Sequence, residues 1–467
     1  MPDFEAELRR WLADMSDAVW QRVDTARFGE LTVVYLQSIT DGKHLENVVI
    51  RPLKHGDVGS VRQAVAALEA RDCPQPQEAA ELICRGWAAV LSPEGCLVVN
   101  AAESFGRAIE ISEQEMVMYG PKDSFTERLD QNLTLLRRRL PIPRFKSVIY
   151  TLGWLGRTHV TLLYLEGVAH PDLVRKAKDK TGSIKFDMFL DTAHLSHFLE
   201  DHIHSVFPQF QQTDRPDAVA AALASGKIVW LMDNTPFALI APVTFFDLFQ
   251  SPEDYMHRWL VASFLRPLRF LAFLFAMVLT PIYVALTMHH YQSIPLEILY
   301  LLLESRSQIP FNPFWEALFM LLTLEILKEA SLRMPTKAGQ TLGIVGGIVI
   351  GQAAVSAKIA SSILIIHVAI TAISSFLIPN YIMTNSSKLI QFGLLVLAAW
   401  LGLWGIAFGI ALVAVHLHGL TSLGIPYLSP LVPFHKEDWK DTVLRLPLRW
   451  MTRRPAYLHP LDRRRNT

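Results

Sequence analysis

The stretch from Thr341 to Pro379 limits what this chain can fold into more than any other. It reads TLGIVGGIVIGQAAVSAKIASSILIIHVAITAISSFLIP, 39 residues with one charged side chain, Lys358. A helix needs about 20 apolar residues to cross a bilayer, so the stretch is long enough to cross twice. Gly343, Gly347 and Gly351 recur every fourth residue and line one helix face, where another helix can approach closely. Gln352, Ser356, Lys358 and His367 are polar groups in an apolar run, and each needs a partner or water. Gly343, Gly347, Gly351, Gln352, Val355, Ser356 and Lys358 are therefore candidate pore-lining or helix-packing positions.

Charged residues make up 19% of the chain and concentrate before about residue 270 and after 435, so the net charge of zero says little about partners. The N-terminus carries Asp3, Glu5, Glu7, Arg9 and Arg10 without an apolar core segment, unlike a signal peptide. The first part of the chain is expected to stay in the cytoplasm. Cys73, Cys84 and Cys96 form no even disulfide set and no metal-ligand spacing, which fits a reducing compartment.

Residues 31–39 read as a buried strand, and 86–101 as two short strands around Pro93-Glu94-Gly95. The order returns with a strand at 158–166, helices at 184–206 and a hairpin at 226–241 turning at Asp233-Asn234. We read this as an internal duplication, with Tyr35 answering Tyr164 and Trp87 answering Trp230; a chance recurrence of a common pattern is the alternative. A basic helix at 128–139 joins the units and is stopped by Pro141 and Pro143. Its Arg137–Arg139 run reads as a solvated face or as a contact for acidic lipid.

Catalytic signatures are missing: there is no Walker loop, no GxGxxG after a strand, no GxSxG and no HExxH. His194, His197, His202 and His204 are the best metal candidates, but a polar helix face explains them as well. No basic, aromatic-interleaved region points to nucleic acid. Neither enzyme chemistry nor a cofactor is expected.

Arg258, Arg266 and Arg269 precede an uncharged run at 270–288, which places that side in the cytoplasm. Residues 294–335 are apolar but broken by prolines and charges, and read as an interfacial helical elbow. Within it Glu325, Glu329 and Arg333 share one face and, with Pro335, are candidate gating or coupling residues. Two spans follow at 341–379, turning near Lys358 on the cytoplasmic side, and 389–415 is the last long apolar run. The tail from Lys436 holds nine Lys or Arg against four Asp or Glu, a cytoplasmic mark. The expected fold is an α+β cytoplasmic domain of two related α/β subdomains, 1–125 and 144–255, joined by a linker helix at 126–143. An all-α polytopic membrane domain at 256–435 follows, with about four full spans plus the elbow, then a basic cytoplasmic tail at 436–467. Six spans, with both elbow pieces crossing, is the alternative.

Several passages resemble one family: YGPKDSFTERLDQNLTLLRRRL at 119–140, SVFPQFQQTDRPDAVAAALASGKIVWLMDNTPFALIAP at 205–242 and SPEDYMHRWLVASFLRPLR at 251–269. EILKEASLRMP, GIVGGIVIGQAAVSAKIASS and GIPYLSP extend the match into the membrane half. The chain resembles the A subunit of the GerA-type spore germinant receptors from about residue 30 to 455. The resemblance implies an inner-membrane protein that works with a GerB-type, transporter-like nutrient-sensing subunit and a GerC-type lipoprotein. It further implies a homo-oligomer in membrane lipid that forms a nutrient-gated ion channel. A SpoVAF-type germination paralogue shares the pattern. The family tends to carry glycine at Lys358, proline at Ser362 and arginines at Lys388 and Gln391. Apart from the resemblance, a stand-alone secondary transporter would need an inverted repeat, which 268–435 lacks. A membrane-anchored enzyme would need a catalytic constellation in 1–250.

Overall fold

The structure is a computed structural model that describes residues 2–25, 28–55, 60–65, 69–93, 95–102, 120–335, 346–347 and 349–465. Its first sheet contains β1 (Ala18–Thr25), β2 (Gly29–Leu36), β3 (Ala70–Asp72), β4 (Trp87–Ser92) and β5 (Gly95–Asn100), in the order β1-β2-β4-β5-β3. Helices α1 (Pro2–Trp11) and α2 (Pro76–Ile83) cover one face, where Leu8, Ala80 and Ile83 pack on Val34, Ala89 and Val98. Helical pieces between Gly42 and His55 cover the other, with Leu45, Val49 and Leu53 against Leu31, Val33 and Val90.

The second sheet repeats that plan. Strands β6 (Phe145–Leu152), β7 (Thr158–Leu165), β8 (Gln211–Thr213), β9 (Ile228–Met232) and β10 (Ala238–Ala241) take the order β6-β7-β9-β10-β8. Helices α3 (Leu129–Arg139) and α6 (Pro216–Ser225) cover one face, and α4 (Pro171–Ser183) and α5 (Thr192–Leu199) the other. Register decides which residues correspond. Tyr35 and Tyr164 are each the seventh residue of an eight-residue strand paired end to end in its hairpin. Trp87 and Trp230 do not correspond. Val34 pairs with Ala89 and Leu163 with Val229, so the position matching Trp230 is Val90, and Trp87 lies on the opposite face. Of the segment expected to be helical at 184–206, only Thr192–Leu199 is α-helix.

The two units are joined by a buried ion pair. Arg137 from α3 is fully buried and meets Asp17 at 2.8 Å, while Ser38 and Ser147 donate hydroxyl hydrogen bonds to the same carboxylate. The expectation that Arg137 belongs to a solvated face is therefore corrected: apolar Leu133 and Leu136 on the same helix turn it inward. Burial works to raise the Asp17 carboxyl, but the charge and hydrogen bond of Arg137 outweigh it and hold the pKa below its usual 3.8. A carboxyl depressed by folding contributes stability that is complete above its unfolded pKa. That stability is lost as pH falls through the folded value. Asp17→Asn will flatten the dependence of stability on pH below about pH 4 and leave its slope near neutrality unchanged. Urea unfolding of the full chain in detergent at several pH values measures this.

The helical half begins with α7 (Trp259–Met288), α8 (Leu296–Arg306) and α9 (Pro313–Leu332). A helix at 349–356 follows, then α10 (Ser362–Phe376), α11 (Tyr381–Leu401) and α12 (Leu403–Gly419). Among the described residues, α7 and α11 are long and apolar enough to cross a membrane, whereas α10 and α12 are apolar but shorter. The apolar run at 389–415 is not one helix. Gly402 breaks it with φ +62° and ψ −139°, a region essentially closed to residues with a Cβ. Helices α11 and α12 then fold back on each other. A Cβ at Gly405 would lie 2.1 Å from the Leu397 carbonyl oxygen, and one at Gly409 2.4 Å from Leu394 Cδ2. Gly405→Ala will lower stability by about 1–3 kcal/mol. Gly393→Ala, whose Cβ meets nothing within 4 Å, will raise it by about 0.5–1 kcal/mol. Melting temperatures in one detergent check the opposite signs.

Contacts fix the direction of each helix. The start of α7 lies by the second sheet's exit segment, where Arg269 donates to the Phe249 carbonyl. Its end lies by the α11–α12 turn, where the His289 ring meets the Ala399 carbonyl at 2.7 Å. Early α11 and the segment after α12 return to the sheet end, through Ser386 to Val206 and Thr421 to Asp201. Glu316 near the start of α9 and Ser361 before α10 meet Tyr283 and Arg306 at the far end. Glu325, further along α9, meets Lys388 near the sheet end. The turn holding Lys358 thus lies at the end of the bundle remote from the sheets, opposite to the expected placement under the soluble domain. The elbow is the reason: α9 runs the length of the bundle and reverses the direction of everything after it.

Candidate functional site

The candidate site lies where α9, the helix at 349–356, α10 and α11 meet. Gly343 lies outside the described residues. A Cβ at Gly347 or Gly351 would meet nothing within 4 Å, and Gln352, Val355, Ser356 and Lys358 are exposed. A side chain at either glycine would thus extend into open space, beside these exposed neighbours, among the described residues. The close approach to α9 is made instead by Gly346, where a Cβ would come within 2.9 Å of Leu327 Cδ1. Lys358 has φ +56°, in the left-handed region that glycine occupies without strain. Its N–H donates to the Val355 carbonyl at 3.0 Å and closes the turn. His367 packs on the Tyr283 ring, 5.1 Å between centroids, and its Nδ1 lies 2.8 Å from the Ile363 carbonyl.

The coupling residues separate. Glu329 and Arg333 pair at 2.6 Å on an exposed face, with side chains 59% and 78% accessible, and such pairs are worth little. Pro335 is exposed beyond the end of α9. Glu325 turns the other way and pairs with Lys388 of α11. This ties α9 to α11 across the mouth of a cavity of about 480 Å³.

Two buried networks were not marked by the sequence. At the far end Glu316 is 1% exposed. Its Oε2 accepts from Arg306 Nη1 at 2.7 Å and its Oε1 from the Ser361 N–H at 2.6 Å. The Tyr283 hydroxyl lies 3.1 Å from Ser361 Oγ, so one carboxylate gathers α7, α8, α9 and the start of α10. At the sheet end, Asp254 and Arg266 are both fully buried and meet at 2.9 Å. Arg269 joins Asp254 at 2.8 Å, and Arg266 also holds Asp441 of the C-terminal tail at 2.9 Å. Arg266 and Arg269, expected to flank the first span, thus lie inside α7 and lock it to the sheet domain's exit and to the tail. In sequence both networks look like scattered charges. The only signal was their position beside apolar helices, where a charge needs a partner.

The four candidate histidines do not converge on one point among the described residues. His194 sits among the rings of Phe186, Phe189 and Phe198, and His202 faces Thr421. Among the described residues no three His, Cys, Asp or Glu side chains stand together as a metal site.

The family model described as Bacillus/Clostridium GerA spore germination protein matches residues 6–457. The chain belongs to the GerA family. The chain is 43% identical over 362 residues to spore germination protein GerQA of Bacillus cereus, covering 78% of this chain and 72% of that one. It is 35% identical over 467 residues to GerLA of the same organism, covering 98% and 95%. Among solved structures, the N-terminal domain of the A subunit of the Bacillus megaterium spore germinant receptor GerK3 matches 52% of this chain and 94% of its own. Its identity is 22% and its TM-score 0.41. This GerA-family protein thus combines a two-sheet α/β half with a helical half containing two apolar candidate spans.

Proposed function

We propose that this GerA-family chain is the membrane subunit of a spore germinant receptor whose copies assemble into a nutrient-gated ion channel. The observation that carries this is the open helix face at 351–356. Gly351 has empty space where a side chain would be, beside exposed Gln352, Val355 and Ser356. In lipid, small and polar residues exposed together on a helix favour another helix. Neighbouring copies of the chain are the natural source of that helix. A GerB-type nutrient-sensing subunit and a GerC-type lipoprotein complete the receptor in this reading.

The bundle passes the inner membrane six times rather than four, through α7, α9, the helix ending at 356, α10, α11 and α12. This even number leaves the sheet domain and the tail together on the cytoplasmic side. Trp400 and Trp404, 81% and 78% exposed at the α11–α12 turn, suit the opposite interface, where amphipathic rings collect. Cysteines placed at Gln352 and Val355 in the full chain in membranes test the assembly. Disulfide-linked dimers and higher oligomers are expected on mild oxidation. Labelling of both positions by a lipid-phase thiol reagent with no crosslinking would contradict it.

A further inference from the structure

The cavity bordered by Glu325 and Lys388 has a polar mouth and an apolar interior. Lys328, Lys388 and Glu325 lie at its sheet end, while Ala276, Leu321 and Val368 line it further along the bundle. Two ammonium groups there face one carboxylate. Glu325 pairs with Lys388, whereas Lys328 lies 5.2 Å over the Tyr381 ring and pairs with no carboxylate among the described residues. Gln391, 4% exposed, also lines the cavity, and its amide nitrogen has no hydrogen-bond partner. A buried donor left unpaired is unfavourable, so an occupant with an acceptor oxygen is favoured here. Ser331, Thr371 and Ser375 also line the space. Their hydroxyls already donate to, or lie within hydrogen-bond reach of, groups of their own or a neighbouring helix, and remain able to accept.

We infer that this cavity binds an anionic amphiphile, with its carboxylate or phosphate oxygens at Lys328, Lys388 and Gln391 and an alkyl chain along α10 toward Ala276. The size suits one chain, since ligand pockets run from about 300 to 1,000 Å³. The polarity gradient matches an amphiphile entering from the sheet end, and anionic lipid on a cytoplasmic face would supply the head group. Occupancy would add a bridge between α9 and α11, which the Glu325–Lys388 pair and the Lys328–Tyr381 contact join now. The site does not depend on the channel reading, because binding is measured without any flux.

The test uses the full chain in nanodiscs of zwitterionic phosphatidylcholine, with Phe392→Trp as a reporter on the cavity wall. Dibromostearate, dibrominated phosphatidylglycerol and dibrominated phosphatidylcholine are added separately as quenchers. Saturable quenching of the additional tryptophan signal by either anionic probe, but not by phosphatidylcholine, is expected. Quenching by the fatty acid alone identifies a free acid as the source, and quenching by phosphatidylglycerol alone identifies a lipid head group. Lys328→Gln and Gln391→Leu, each added to the reporter chain, should raise the half-quenching concentration about tenfold. Ala372→Leu, which narrows the cavity without touching a charge, should weaken quenching by both anionic probes. Equal quenching by phosphatidylcholine, no quenching by either anion, or indifference to all three substitutions would overturn the inference.

Discussion

Asp254→Ala will destabilise the protein by about 3–5 kcal/mol, because it leaves buried cations without their carboxylate partner. Asp254 and Arg266 are both fully buried, and one Asp254 oxygen serves Arg266, Arg269 and the Ser251 N–H. Without it, Arg269 keeps, among the described residues, only the Phe249 carbonyl, and Arg266 depends on Asp441, which is partly exposed. The same junction connects the second sheet's exit turn at Pro252–Tyr255, the start of α7 and the tail. Glu329→Ala is the internal comparison. It also removes one carboxylate from an arginine pair, but in solvent, and its effect should be about 1 kcal/mol or less. Thermal unfolding of both variants in the same detergent reads the contrast. Equal shifts would show that the Asp254 cluster is not buried as described.

Glu316→Ala will have a comparable effect at the other end of the bundle, again about 3–5 kcal/mol. It removes the acceptor of the Ser361 N–H and leaves Arg306 with the Tyr283 hydroxyl at 3.4 Å and the Phe311 carbonyl at 3.2 Å. Glu316→Gln keeps an acceptor for Ser361 while losing the charge, so it should cost less, about 1–3 kcal/mol. The loss should be local as well as global. Ser361 ends the turn that contains exposed Lys358, so trypsin should cut after Lys358 faster in Glu316→Ala than in Glu316→Gln or the parent chain. Unchanged cleavage in Glu316→Ala would show that the carboxylate does not hold this turn.

Particular residues show what a sequence reveals here. The β4–β5 hairpin and strands β2, β7 and β9 were legible because unbroken β-branched and apolar runs sit between turn residues. Strands β1 and β6 were missed. AVWQRVDT and FKSVIYTL mix polar groups into edge positions that carry little periodic signal. The glycine ladder was visible, but which glycine meets a neighbour was not. Gly346, one residue off the ladder, makes the approach to Leu327, while Gly347 and Gly351 stay open. The 389–415 run looked continuous, because a backbone break at a single residue, Gly402, leaves no mark in hydropathy. Lys358 was assigned to the wrong end of the bundle because charges in α9 hid a helix that traverses it. Arg137 was read as part of a solvated face and the role of Glu316 went unmarked, since only three-dimensional pairing shows that a charge is buried.

The most direct measurement is nutrient-triggered release of monovalent cations from dormant spores in which this chain is the sole A-type subunit. Gly351→Trp builds a bulky side chain onto the open helix face, from a position where a Cβ would meet nothing within 4 Å. Spores carrying it should accumulate the protein at the parent level yet release cations no faster than spores lacking the chain. Release at the parent rate from either strain would contradict the proposal that copies of this protein form the gated pore.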